Sequence, residues 1–181
     1  MIRLFRFQGI PVFAHWSVLA IAGFILVANW RDLALAAAAG GSYLGVIVVH
    51  ELGHAMVARR LRCHVLWIKL YPIHGLCFHE DAGRRRNAVI AWGGVLAQGV
   101  VAFPLLVFLA VFGYTPIPAA NAAIAILGVF STGWALFNLL PFAPLDGARA
   151  WSALAGFLRS RPFMSLRPRK RPVQRRQGPY R

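Results

Sequence analysis

Residues 33–58 read L-A-L-A-A-A-A-G-G-S-Y-L-G-V-I-V-V-H-E-L-G-H-A-M-V-A, a stretch of 26 residues whose one charged side chain is Glu51. As a helix it would run about 39 Å, more than the roughly 30 Å hydrocarbon core of a bilayer. Three further apolar stretches reach spanning length: Ile10–Trp30, Ala88–Phe112 and Ile117–Leu140. The first does not read as a cleaved signal peptide, being too long and ending in Trp30-Arg31-Asp32 without a small-x-small site. The fold class predicted is therefore an all-α polytopic membrane protein of about four transmembrane helices. Between the second and third stretches, Val65–His79 is rich in β-branched and aromatic residues and broken by Pro72 and Gly75. It reads as a small β-hairpin on the cytoplasmic face.

Composition agrees. Of 181 residues, 59% are hydrophobic and 14% charged, against about 25% charged in a soluble domain. That excludes a disordered chain, a coiled coil and an ordinary soluble enzyme. The 20 Lys and Arg against 5 Asp and Glu would suit nucleic acid, but no recognisable module accompanies them. Their placement suits a membrane. Two precede the first stretch, seven lie between the second and third, and ten follow the fourth, which puts 19 of 20 on one side. The positive-inside rule makes that side cytoplasmic, with both termini there. The protein is expected to be a multi-pass protein of a bacterial cell membrane. Gly147–Leu158 reads as a helix too short to span. Residues 159–181, with nine basic side chains and four prolines, read as a disordered basic tail that contacts anionic lipid.

His50-Glu51-Leu52-Gly53-His54 is an H-E-x-x-H pattern inside the second stretch. Positions i and i+4 of a helix share a face, so both imidazoles can reach one metal. Glu51, turned about 100° away, can reach a water on that metal and take its proton. The bland alternative, two interfacial histidines and a snorkelling glutamate, carries the cost of a carboxylate in the membrane, about 2.5–3.5 kcal/mol at mid-bilayer. A catalytic zinc needs a third protein ligand, and Asp146 is the other acid in an apolar setting. Glu51 lies about 12 Å before the end of its helix at Arg59. Asp146 follows the fourth stretch in a segment broken by Pro141 and Pro144, so the two can meet at one depth. Spacing alone leaves Asp146 divided between a ligand and an N-cap. Cys63 and Cys77 read as reduced thiols. A hairpin turning at Pro72–Gly75 would set Cys77 opposite Leu70. A zinc site from Cys63, His64, Cys77 and His79 would lack a paired C-x-x-C spacing.

H-E-L-G-H at 50–54 together with N-L-L-P-F-A-P-L-D-G at 138–147 resembles the site-2 protease family of intramembrane zinc metallopeptidases. Gly9-Ile10-Pro11-Val12, His15-Trp16-Ser17, the hairpin turn and Gly93-Gly94-Val95-Leu96-Ala97-Gln98 fit it too, so the resemblance covers about residues 9–150. It implies one zinc per chain held by His50, His54 and Asp146, with Glu51 as general base. It implies a metalloprotease core over residues 1–158 that cleaves membrane-anchored proteins in or near their transmembrane segments, as in regulated intramembrane proteolysis. Two departures stand out. Gln98 occupies a place where many members have Asn, and His74-Gly75 replaces a frequent Gly-Gly. No PDZ-like or CBS-like domain is present in the sequence. Asn138 and Gln98 are candidate substrate or oxyanion contacts, Asn138 being equally suited to capping broken carbonyls. The small face of Gly93, Gly94 and Ala97 reads first as close helix packing, and His15 as an interfacial or packing histidine. The rival function is a non-proteolytic metal- or ion-binding or transport protein, which the want of inverted repeats disfavours.

Overall fold

The computed structural model describes residues 1–159, with side chains through Ser152; the tail expected beyond them lies outside the described residues. The chain opens on a hairpin, β1 (Ile2–Phe7) and β2 (Ile10–Ala14). Gln8 and Gly9 turn it with φ of 47° and 88°, the two left-handed residues a tight two-residue turn requires. Residues 10–30, expected as one span, thus divide into β2 and the 13-residue helix α1 (Trp16–Ala28). At about 20 Å, α1 is shorter than the hydrocarbon core. A continuous apolar run does not distinguish a buried strand plus a short helix from a single span. His15 caps α1, accepting from the Ser17 amide, and its ring stacks on Tyr71 at 5.7 Å, which is the packing role.

Among the described residues three helices are long and apolar enough to cross a membrane: α2 (Leu33–Arg60), α3 (Arg84–Phe112) and α4 (Pro118–Asn138). Within α4, residues Ile124–Phe130 are wound as a π-helix. Val100, Phe103 and Val111 of α3 are all more than 60% exposed, an apolar face suited to lipid. The chain is an integral membrane protein. A final helix, α5 (Asp146–Arg159), follows a proline-broken segment.

Strands β3 (Val65–Leu70) and β4 (Gly75–His79) form the expected hairpin, and β2 joins it in parallel, giving one sheet in the order β1-β2-β3-β4. Strand β3 is paired on both sides and β4 is an edge. A bulge interrupts β1 between Arg3 and Phe5. Cys77 lies opposite Ile68, not Leu70, and Leu70 faces Gly75. The turn is tighter than the positions of Pro72 and Gly75 suggest, because the Tyr71 amide already donates to His74 at 2.8 Å. Val12, Ile68 and Leu70 of the sheet pack with Ala55, Ala58 and Ile90 of the helices into the core.

Helix α2 ends in a Schellman motif: the Cys63 amide donates to Ala58 O and the Arg62 amide to Arg59 O, each at 2.9 Å. The left-handed position, normally glycine, is Arg62 with φ 58°, a strain of about 1 kcal/mol. Helices α2 and α3 cross where Gly53 meets Gly93. A Cβ at 93 would lie 2.6 Å from Gly53 O, so the backbones touch as the small-residue face suggested.

Candidate metal centre

The α2–α3 crossing places His50 and His54 against α3. Gly94 clears the space for them: a Cβ there would lie 2.6 Å from His54 Nε2 and 2.7 Å from His50 Cε1. Asp146 arrives from the start of α5. Its position depends on Gly147, whose missing side chain leaves room for the Leu139 and Leu140 carbonyls, and on Trp151, whose indole N–H donates to Leu139 O at 2.7 Å. That indole bond serves a carbonyl freed by the end of α4.

Asp146 Oδ2 is 2.8 Å from His50 Nε2 and 3.1 Å from His54 Nε2, and the two Nε2 atoms are 3.1 Å apart. The opposite ring nitrogens are committed elsewhere. His50 Nδ1 bonds Gln98 Oε1 and His54 Nδ1 bonds Ile90 O, both at 2.8 Å. Those acceptors assign the proton of each neutral ring to Nδ1, so three lone-pair acceptors face one point with no hydrogen among them. A cation resolves that conflict. Zinc with Zn–N of about 2.0–2.1 Å would set tetrahedral ligand atoms roughly 3.3 Å apart, close to the observed triangle, so this donor set fits zinc.

Glu51 is 3% exposed, and its Oε2 has no hydrogen-bond partner among the described residues. Its carboxylate also approaches the imidazoles, one ligand atom each from His50, Glu51 and His54 lying within 4.8 Å of one another. Asp146 makes the shorter contacts and completes the triangle. The Cys77 amide faces the Glu51 carboxylate. Burial, with Glu51 and Asp146 nearby, pushes the Cys77 thiol up to about 12. Cys77 is thus a neutral thiol, and Cys63 belongs to the buried core. The two do not gather with His64 and His79 into a second metal group.

No family model matches the chain. It is 31% identical over 167 residues to a candidate zinc metalloprotease of Synechocystis, covering 84% of this chain and 44% of that protein. It is 27% identical over 175 residues to a zinc metalloprotease of Methanocaldococcus jannaschii, covering 88% and 48%. Among solved structures it matches the site-2 protease from Methanocaldococcus jannaschii with a TM-score of 0.65 and 24% identity, over 86% of this chain and 72% of that one. The chain is similar in sequence to these zinc metalloproteases and has the fold of the site-2 protease. It spans less than half the length of the curated relatives it matches.

A cavity of about 380 Å³ opens over the cluster, lined by His50, Glu51, His54, Cys77, Asn138 and Asp146 among others. Asn138 is at the end of α4, and its amide makes no hydrogen bond among the described residues, so it caps nothing there. Gln98 is 1% exposed and does not line the cavity; its contact is His50. The glycines at 75 and 94, which touch the base and the ligands, were not legible as site residues, although Gly94 lies in a small-residue run that flagged close approach. The Ile90 carbonyl carries no sequence signal.

Proposed function

We propose that this chain is a zinc-dependent intramembrane endopeptidase acting on membrane-anchored proteins in or near their transmembrane segments. The convergence of three acceptors, His50 Nε2, His54 Nε2 and Asp146 Oδ2, beside the unpartnered Glu51 Oε2 carries this reading. Those three residues would hold one zinc ion per chain, and the ion would supply Lewis acidity at the scissile carbonyl. Gln98 acts through His50, keeping its proton on Nδ1 as Ile90 O does for His54. Glu51 takes the proton of the attacking water at Oε2 and delivers it to the leaving amine. The Asn138 amide donates to the substrate carbonyl. No covalent intermediate forms.

A helical substrate must unwind before its peptide bonds can be attacked. Counting from the Tyr71–His74 bond, antiparallel alternation turns the amides of Leu76 and Phe78 toward β3 and those of Gly75 and Cys77 outward. With the Cys77 amide turned to the Glu51 carboxylate, strand β4 pairs with the unwound segment through the remaining outward groups, the Gly75 amide and the Gly75 and Cys77 carbonyls. The pairing of β2 with β3 and the even number of long helices after the hairpin support both termini lying on the hairpin side, and the 19-to-1 basic asymmetry supports that side, and a site near it, being cytoplasmic. The deciding experiment is cleavage of candidate single-span substrates by the wild type and Glu51→Gln at equal zinc content. Loss of cleavage in the variant is expected, and an active Glu51→Gln enzyme would overturn the mechanism.

A further inference from the structure

A second cavity, of about 480 Å³, lies where α2 ends, lined by Gln8, Gly9, Arg59, Arg62 and His64 with Ile10, Cys63 and Val65 at its base. Among the described residues only two that are not glycine hold a left-handed backbone, Gln8 and Arg62, and both line this cavity. The chain keeps Arg62 where its own Schellman motif favours glycine, so the strain points to the side chain. The Arg62 guanidinium makes no hydrogen bond or ion pair among the described residues. Arg59 spends one N–H on Gln8 O at 2.9 Å and has four more. The carboxylate paired with the rim is Glu80, 3.8 Å from His64, with both side chains exposed.

We propose that this cavity binds the phosphate of an anionic phospholipid, Arg59 and Arg62 supplying paired guanidinium donors and His64 a third group. Guanidinium forks match phosphate oxygens two at a time. Depth selects a lipid over a free anion. The 28 residues of α2 span about 42 Å, the thickness of a bilayer with its headgroups, so Arg59 to His64 stand at headgroup level. One turn earlier on the Arg59 face, Met56 is 41% exposed, an apolar track on which an acyl chain can lie. The site is on the helix that carries the H-E-x-x-H pair, about 7.5 Å along the axis from His54 to Arg59. Its occupant therefore steadies the metal helix from the interface.

The test is thermal unfolding of the full chain in nanodiscs of phosphatidylcholine alone, with phosphatidylglycerol added, and alone with inorganic phosphate. Phosphatidylglycerol should raise the wild-type Tm, and inorganic phosphate should not. Arg62→Gly should unfold about 2–4 °C higher than wild type in phosphatidylcholine, because the left-handed backbone is relieved, yet lose the phosphatidylglycerol increment. Arg62→Gln, which leaves the backbone as it is, should lose the increment too. Arg60→Gln, an exposed cation outside the cavity, should keep it. The basic tail adds the same amount to every variant, so the increment at issue is the difference between wild type and variant. An increment that survives in both Arg62 variants, or disappears equally in Arg60→Gln, overturns the proposal. Inorganic phosphate matching phosphatidylglycerol overturns the choice of a lipid.

Discussion

The backbone of Gly75 lies directly against the side chain of Glu51, so that a Cβ at 75 would overlap Cγ, Cδ and Oε1 of the carboxylate. The tip of the hairpin and the proposed base share one wall of the cavity. Gly75→Ala should displace Glu51 and leave the three ligands in place. Cleavage should fall about 100-fold, the scale of a lost general base, at unchanged zinc per chain. Wild-type cleavage by Gly75→Ala would mean that the hairpin withdraws before the reaction.

Gly94 bears on the ligands and not on the base. Gly94→Ala should push both imidazoles off their common point and reduce zinc, read by metal analysis of purified protein, to a small fraction of wild type. Gly99→Ala in the same helix has open space around the new methyl and should bind zinc normally. Equal zinc in the two variants would remove Gly94 from the site.

Alanine at His50, His54 or Asp146 should each remove most of the metal, whereas Glu51→Gln should retain it. Full retention in Asp146→Ala would assign the third ligand to another group, Glu51 being the nearest carboxylate.

Strand β3 is covered by β2, so proline there breaks the sheet and tests nothing about substrate. Ile68 and Leu70, edge-like in a lone hairpin, are interior. The informative position is Cys77, whose amide is turned away from β3 and toward Glu51, so proline there removes an outward donor and a contact of the base together. Cys77→Pro should preserve insertion and zinc and sharply reduce cleavage. Unchanged cleavage would argue against strand pairing with substrate.

Cys77 also reports on the carboxylates. With its thiol pushed up to about 12 by burial first and then by Glu51 and Asp146, little thiolate exists at pH 9. Glu51→Gln removes a negative neighbour, lowers the thiol pKa and raises the thiolate fraction. In zinc-free Cys63→Ser protein, iodoacetamide should therefore modify Cys77 faster when Glu51 is Gln. Equal rates between pH 8 and 10 would show that Glu51 does not act on this thiol.

Much of this was legible because the membrane makes polar groups conspicuous. Glu51 and Asp146 stood out among apolar neighbours, and i, i+4 geometry alone brought His50 and His54 together. The start of the chain was not legible, since Ile10–Ala14 is as apolar as the helix that follows and one side of its strand pairs with residues more than fifty positions away. The role of Gln98 was hidden for the same reason. Which ring nitrogen it meets depends on how α3 crosses α2, set by the Gly53–Gly93 contact. Gly75 reads as turn chemistry in the sequence and becomes part of the site only once the hairpin folds back on α2.

Both border ladders carry a register shift, between Arg3 and Phe5 beside β1 and between Val65 and Trp67 beside β4, and the borders differ in what flanks them. On the β1 border the ladder is interrupted and flanked by Arg3 and Arg6, features that discourage another strand from docking. On the β4 border the ladder is regular from Trp67 to Leu70, beside Gly75 and Cys77, which line the cavity. A four-stranded sheet that invited extension at both ends would be prone to polymerise with copies of itself in a crowded membrane. Guarding one margin would leave the proposed strand addition a single direction, the one that ends over Glu51.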